Sequence, residues 1–208
     1  LSPGYMSAQK GHHFAHPSNH FWKCLHQSGF TPRLLPPSED SSLPQTFNIG
    51  LTDLVDRPST EASELSSSER VSSVPILLSK LALHRPRFLC LVGISNWEIL
   101  QKALLQMSWT TGPSKASGSP GTSKASQASA KNIGLQPFKL RYSGPVSDTS
   151  ANISETLLFV VPSTSGLVTQ YQLPAKVKFF AQLKSLVDQP PSELDTSEMK
   201  CIAVPHNP

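Results

Sequence analysis

Residues 87–107, RFLCLVGISNWEILQKALLQM, decide the class of fold. The apolar run after Arg87 is rich in β-forming residues and ends at Gly93, a pattern that predicts a buried strand. The residues from Asn96 onward have helical spacing, and Asn96 itself is a suitable N-cap for that helix. A buried strand followed directly by a helix is typical of an α/β protein with a parallel sheet.

The same alternation continues on both sides of this stretch. Towards the N-terminus, residues 47–55 (FNIGLTDLV) predict a short buried strand, and residues 66–86 predict a helix that ends at its final proline. Towards the C-terminus, order resumes at residues 133–142, and residues 155–162 (ETLLFVVP) predict a second strong strand.

Two further helices are predicted, one near each end of the chain. Ser18 or Asn19 can cap a helix that runs to about Gln27. Residues 174–187 predict an amphipathic helix. Its apolar face comprises Val177, Phe180, Leu183 and Leu186 or Val187.

The length of 208 residues favours one domain with attachments. We expect that domain to comprise residues 1–110 and 132–188. Between them, residues 111–131 (TGPSKASGSPGTSKASQASAK) lack apolar periodicity, so a disordered insertion is predicted. Residues 189–208 form a polar C-terminal tail, in which CIAVP either adds a small strand or hangs free.

Charge and cysteine usage restrict the function less. Lysine and arginine number 18 against 14 acidic residues, and the sequence pI near 9.0 is compatible with an anionic partner. Three widely spaced cysteines suit buried thiols in a reducing compartment. No apolar run approaches the roughly 20 residues that a membrane span needs, so a soluble protein is expected.

Three loops concentrate glycine, proline and small hydroxyl residues, which allow a backbone to approach an anion or a base edge closely. They are residues 1–14, 50–60 and 161–171. If each follows a strand, all three lie where α/β sheets bind ligands, at the carboxyl ends of strands. A binding site there is therefore predicted.

Other chemistries find less support in these loops. His12, His13, His16 and His20 suggest a metal site, but Pro17 breaks any helix that would align them, and no cysteine or carboxylate nearby completes a set. Ordinary loop hydrogen bonds or phosphate contacts are the expected role, and no metal is predicted. The G-x-S-x-G elbow of serine hydrolases and the glycine-rich nucleotide loops are absent from the sequence, so no cofactor is predicted either.

Four collinear blocks carry a resemblance to a known family. They are residues 3–32 (PGYMSAQKGHHFAHPSNHFWKCLHQSGFTP), 49–69 (IGLTDLVDRPSTEASELSSSE), 134–140 (GLQPFKL) and 161–166 (VPSTSG). In order and spacing, this pattern resembles the mismatch-specific uracil and thymine DNA glycosylases.

The resemblance implies a three-layer α/β/α fold with a short, mainly parallel sheet, whose first strand is expected upstream of Leu1. It also implies a monomeric, monofunctional nuclear enzyme of base-excision repair. Such an enzyme would bind duplex DNA with a G:U or G:T mismatch, flip the uracil or thymine out and hydrolyse its N-glycosidic bond with water.

The resemblance also assigns roles to residues of the first block. Ser2 occupies the position where the family has an asparagine that holds the attacking water, so Ser2 is the catalytic candidate. Ser7 contributes to the base pocket, Phe14 either stacks on the flipped base or packs in the core, and Asn19 either reads the base edge or only caps a helix. Candidates for phosphate contact are Lys10 and His13.

The last block corresponds to the loop that fills the hole left by the flipped nucleotide, or else forms a plain strand-to-helix turn. Its residues are Pro162, Ser163, Thr164, Ser165, Gly166 and Leu167. Ser163 would contact a flanking phosphate, while Thr164 to Leu167 would wedge into the stack, with Leu167 as an apolar plug where many relatives have arginine. Asp53 is expected to cap or brace a loop, because a carboxylate facing DNA would be repelled.

Ser2 leaves a second function open. Because serine is shorter than asparagine and offers a hydroxyl in place of a carboxamide, a lesion-binding or regulatory DNA protein with little catalysis is the alternative.

Overall fold

The computed structural model describes residues 3–59, 64–106, 133–143 and 153–204. Its described part contains one four-stranded sheet. The strands are β1 (Phe88–Val92), β2 (Gly134–Tyr142), β3 (Glu155–Val161) and β4 (Lys200–Val204), in the order β1-β3-β2-β4. β1 runs parallel to β3 and β4 parallel to β2, whereas β2 and β3 are antiparallel. The sheet is therefore mixed but mostly parallel.

Helices cover both faces of this sheet. They are α1 (Tyr5–Lys10), α2 (Phe21–Gln27), α3 (Leu43–Phe47), α4 (Ser67–Ser72), α5 (Val74–His84), α6 (Ile94–Gln106) and α7 (Leu173–Asp188), with short 3-10 helices at Pro37–Ser42 and Pro191–Glu193. None of the described helices combines the length and apolar character that a membrane crossing requires.

The central strand β3 divides the interior into two cores. Its residues alternate between the faces, as the two-residue period of a strand dictates. Leu158 and Val160 pack with α5 and α6, while Phe159 and Val161 pack with α2 and α7. Because both faces of β3 are buried, its sequence is a continuous apolar run. The predicted three-layer α/β/α architecture is confirmed.

The strand predicted over residues 47–55 is wrong. Phe47 ends α3, Asn48 adopts a left-handed conformation, and the chain continues as coil. Ile49 and Leu51 do pack against the core that contains α2 and α7, and Val55 is buried. An apolar run reports burial, whereas a strand also needs a partner for its backbone hydrogen bonds, and no described strand lies alongside this segment.

Two helix predictions need correction in detail. Residues 66–86 form two helices, α4 and α5, which meet at Ser73 just before Pro75; proline has no N–H to donate into a continuous helix. Asn96 does not cap α6 from outside, because α6 begins at Ile94. Its amide instead donates from Nδ2 to the Val92 carbonyl at 2.7 Å, tying α6 to the end of β1.

The two attachments differ in what the structure describes. The predicted disordered insertion, residues 111–131, lies outside the described residues. In the tail, residues 200–204 form β4, which pairs parallel to β2, so the CIAVP segment adds a strand to the sheet.

Candidate functional site

Three loops meet beside the carboxyl ends of β1 and β3. We call them the opening loop (residues 11–20), the second loop (48–58) and the serine loop (162–167). The serine loop directly follows β3, and the Thr164 carbonyl accepts a 2.9 Å hydrogen bond from the backbone N–H of His20 in the opening loop. The opening loop also contacts the second loop, where His13 Nε2 lies 3.4 Å from Asp53 Oδ2, so the opening loop is in contact with both of the others.

The opening loop holds Phe14 in an unusual conformation. Its φ of 53° lies in the left-handed region, which residues other than glycine rarely occupy. Neighbours hold the loop there: Ala15 donates its N–H to Ser7 Oγ at 3.1 Å, and the Trp22 indole donates to the His13 carbonyl at 3.2 Å. Ser7 therefore braces the loop that carries Phe14.

The Phe14 ring has one face covered and is only partly buried. It stacks on Phe21, with ring centroids 3.9 Å apart and planes 17° from parallel. The ring therefore packs against the edge of the core and is also partly exposed to solvent. Core packing and stacking on a flipped base, the two roles that the sequence left open for Phe14, are thus compatible.

A cluster of histidines and carboxylates fixes the same loop from the other side. His13 donates its backbone N–H to Asp40 Oδ2 at 2.9 Å, and its ring nitrogens lie 3.2 Å from Asp40 and 3.4 Å from Asp53. His12 Nδ1 lies 3.1 Å from Asp40 Oδ1. Asp53 thus braces a loop, as predicted, whereas sequence reasoning missed Asp40 altogether.

Electrostatics in this cluster favour a charged His13. The hydrogen bond to Asp53, helped by Asp40, raises the pKa of His13 above its ordinary value despite partial burial. Burial alone would raise the pKa of Asp40, but the His13 N–H and both imidazoles outweigh it, so the pKa of Asp40 is lowered. Both ring nitrogens of His13 face a carboxylate of the protein. A phosphate contact by His13 stays a prediction.

The other predicted residues of the first block lie as follows. Asn19 Oδ1 accepts the Phe21 N–H at 2.9 Å, which satisfies one backbone group at the start of α2. Lys10 is exposed at the end of α1. Ser2 lies outside the described residues, but the next residue, Pro3, accepts a hydrogen bond from Ser59 N–H at 3.2 Å beyond the end of the second loop.

The serine loop is shaped by its own hydroxyls. Ser163 Oγ accepts the N–H of Ser165, and Ser165 Oγ accepts the N–H of Leu167, each at 3.3 Å. Thr164 is buried, whereas Leu167 is 88% exposed. Of the loop residues predicted to wedge into DNA, Leu167 is the large apolar side chain that faces outward.

Lys176 lies beneath the serine loop and was missed by sequence reasoning. Its Nζ donates to the Ser165 carbonyl at 2.8 Å and lies 3.4 Å from His20 Nδ1. A signal was present in the sequence, because Lys176 precedes Phe180 by four residues and Leu183 by seven, on the apolar face of α7. A lysine on such a face needs a buried acceptor.

Metal chemistry has no ligand set in this region. Across the part of the chain that the structure describes, no three His, Cys, Asp or Glu side chains are arranged to hold an ion. All three cysteines are free, and burial raises the pKa of the Cys24 thiol to about 11, so Cys24 is an inert thiol at neutral pH.

This fold agrees with a comparison to known families. The model of the uracil DNA glycosylase superfamily matches residues 1–184. The chain belongs to this superfamily, and membership implies a DNA-binding hydrolase of the DNA glycosylase class, which acts in DNA repair.

Proposed function

We propose that this protein excises uracil paired with guanine in duplex DNA, and thymine more slowly. The observation that carries the proposal is the direct junction of the opening loop and the serine loop, through His20 N–H and the Thr164 carbonyl. Base excision requires one surface to hold the extrahelical base and another to support the duplex it has left. Here the two are fixed to each other beside one edge of the sheet.

The opening loop supplies the groups that a flipped pyrimidine needs. Phe14 offers an aromatic ring, and stacking of a base on such a ring is worth about 1–3 kcal/mol. The Asn19 Oδ1 atom is engaged by Phe21, while its Nδ2 makes no hydrogen bond to another described residue. Nδ2 is thus a donor suited to a carbonyl oxygen of uracil.

The serine loop supplies the contacts to the duplex. Leu167 stands outward from the loop and can replace the flipped base in the stack. Ser163 Oγ accepts a backbone N–H and still has its own proton to donate to a flanking phosphate. Ser165 and Gly166 set the turn between these two groups.

In the hydrolysis, the oxygen of water bonds to C1′ of the deoxyribose while the C1′–N1 bond breaks and the base leaves as its anion. The proton that the attacking water loses passes to solvent. Serine is not a base near neutral pH, so the contribution of Ser2 is to position that water. The hydrogen bond between Pro3 and Ser59 anchors the chain immediately after Ser2. Because the attacking group is water and not an amine of the protein, we propose a monofunctional enzyme. The resemblance to the mismatch-specific DNA glycosylases supports the further proposal that it works as a monomer in the nucleus.

Single-turnover cleavage tests this function. The full-length protein is mixed in excess with G:U, G:T and A:U duplexes, and we expect G:U to be cleaved fastest, with G:T slower because the thymine methyl crowds the pocket. Ser2→Asn should raise the G:U rate by roughly tenfold or more with little change in affinity, since its carboxamide reaches further than the hydroxyl. Ser2→Ala should lower the rate.

Serine at position 2 also favours the second candidate, a lesion-binding protein with little catalysis. Tight binding of G:U duplexes without cleavage, and without a gain of activity in Ser2→Asn, would select that alternative. If the protein shows no preference for G:U duplexes in binding and does not cleave them, both candidate functions are wrong.

A further inference from the structure

Lys176 is fully buried yet has no acidic partner in the described residues. Its side chain has no measurable exposure, and none of the salt bridges in the described ranges involves it. Burial of an ammonium group is unfavourable unless its hydrogens are donated in hydrogen bonds. A lysine kept at such a position therefore calls for a specific role.

The contacts of Lys176 are to the two loops of the site. Nζ donates to the Ser165 carbonyl at 2.8 Å, and it lies 3.4 Å from His20 Nδ1. His20 in turn donates its backbone N–H to Thr164. One amine from α7 thus joins a backbone carbonyl of the serine loop to a side chain of the opening loop.

The protonation states agree with this geometry. Burial, followed by the charges of Lys176 and Lys23, lowers the pKa of His20, so its imidazole is neutral at neutral pH and can accept a hydrogen bond at Nδ1. Burial also lowers the pKa of Lys176. Either protonation state of the amine retains a hydrogen for the Ser165 carbonyl.

We propose that Lys176 is a positioning residue that holds the serine loop against the opening loop and thereby sets where Leu167 enters DNA. The inference rests on the proposed function for its effect on excision, but its effect on the loop is independent of activity. Lys176 is too deeply buried to touch DNA itself, so it acts through Ser165 and His20.

The first experiment measures the loop without DNA. Hydrogen exchange followed by mass spectrometry on the full-length protein compares Lys176→Met with Lys178→Met, which removes the same charge from an exposed position two residues along α7. We expect backbone amides of residues 163–168 to exchange at least several-fold faster in K176M and to stay unchanged in K178M. Unchanged exchange in K176M overturns the proposal. If K176M does not fold, Lys176→Gln, whose amide donor sits one bond closer to the backbone, must show the same acceleration.

The second experiment is a double-mutant cycle with Leu167→Ala, read as single-turnover rates on a G:U duplex. We expect K176M alone to lose about tenfold or more, since small displacements of a positioned group can cost about a hundredfold. On the L167A background, K176M should cost far less, because the group it positions is gone. K178M should stay within about twofold of the parent rate.

An equal loss from K176M on both backgrounds overturns the proposal, because Lys176 would then act through something other than the plug. The two levels of inference fail differently. If the wild-type protein does not cleave at all, the proposed function is wrong, and the exchange measurement still decides whether Lys176 holds the serine loop.

Discussion

At the scale of single residues, the site depends on a backbone conformation of Phe14 that is unfavourable unless neighbouring residues stabilise it. Phe14 has a left-handed backbone, which costs of order 1–3 kcal/mol unless neighbours enforce it. The enforcement comes from Ser7 and Trp22 through the hydrogen bonds of the opening loop. The ring is thus placed before any base arrives, which reduces the ordering cost of recognition.

Phe14→Ala should weaken binding to duplexes containing an extrahelical pyrimidine by about tenfold, because the stacking contribution is about 1–3 kcal/mol. Binding to undamaged duplex should hardly change, since stacking occurs only after flipping. Fluorescence anisotropy with matched duplexes measures both, and Phe14→Tyr, which retains the ring face, is the control. Joint loss of thermal stability and of all DNA binding would mean that Phe14 serves only the core.

A pH dependence follows from His13. The folded protein raises the pKa of His13 above 6.5, chiefly through Asp53. A group with a raised folded pKa contributes its full stabilisation below the unfolded pKa and loses it as pH rises through the folded pKa. Stability of the opening loop should therefore decline as pH rises from about 6.5 through the raised value.

Asp53→Asn tests this linkage. NMR titration of the His13 imidazole should give a lower pKa in the variant than in the wild type, and the decline in unfolding free energy over the same pH window should shrink. A His13 pKa that is identical in both proteins would remove Asp53 as the cause.

At the scale of elements, the site depends on how closely two loops approach. A Cβ atom at Gly166 would overlap the Ser18 carbonyl oxygen and lie 2.9 Å from the Ser18 Cβ. The glycine is required here by space, because its φ is not in the left-handed region. The serine loop and the opening loop can therefore pack only with hydrogen at this position.

Gly166→Ala should push the two loops apart and slow single-turnover excision by about tenfold or more, because the plug and the base pocket lose register. Gly50→Ala is the matched control, since a Cβ there meets nothing within 4 Å. Rates for both variants on one G:U duplex make the comparison. An unaffected G166A rate would show that the loop contact is not needed for excision.

At the scale of the whole molecule, the apolar cores that stabilise the fold and the loops of the candidate site lie at different places on the sheet. The two cores lie on opposite faces of β3, whereas the three loops of the site meet beside one edge. The net charge of +4 gives the molecule a weak general attraction to phosphates.

Affinity for G:U duplex should fall as salt rises, because each phosphate that a basic side chain neutralises releases counterions. The logarithm of the association constant should decline linearly with the logarithm of salt concentration, with a slope of about −0.9 per phosphate neutralised by a lysine or arginine. Anisotropy titrations from low to moderate ionic strength measure the slope. A flat response would contradict electrostatic binding by the lysine and arginine side chains.

Sequence reasoning succeeded where the signal was local. The apolar runs of β1 and β3 and the spacing of Phe180 and Leu183 in α7 predicted elements that the structure contains. It failed at residues 47–55, because a buried coil and a buried strand have the same apolar sequence pattern. It also missed Asp40, because a carboxylate in a proline-rich loop gives no sign of which histidines it will meet.

The sequence by itself determined the alternation of strands and helices, the superfamily, and which residues are candidates for the site, among them Phe14, Asn19 and the serine loop. Periodicity and collinear motifs are properties of neighbours along the chain, so they can be read without coordinates. Only the tertiary structure decided that the amine of Lys176 contacts both the Ser165 carbonyl and the imidazole of His20, which lies 156 positions earlier in the chain. Contacts over such separations depend on how the sheet brings α7 back to the opening loop, because a hydrogen bond depends on distance in space and not on position in the chain.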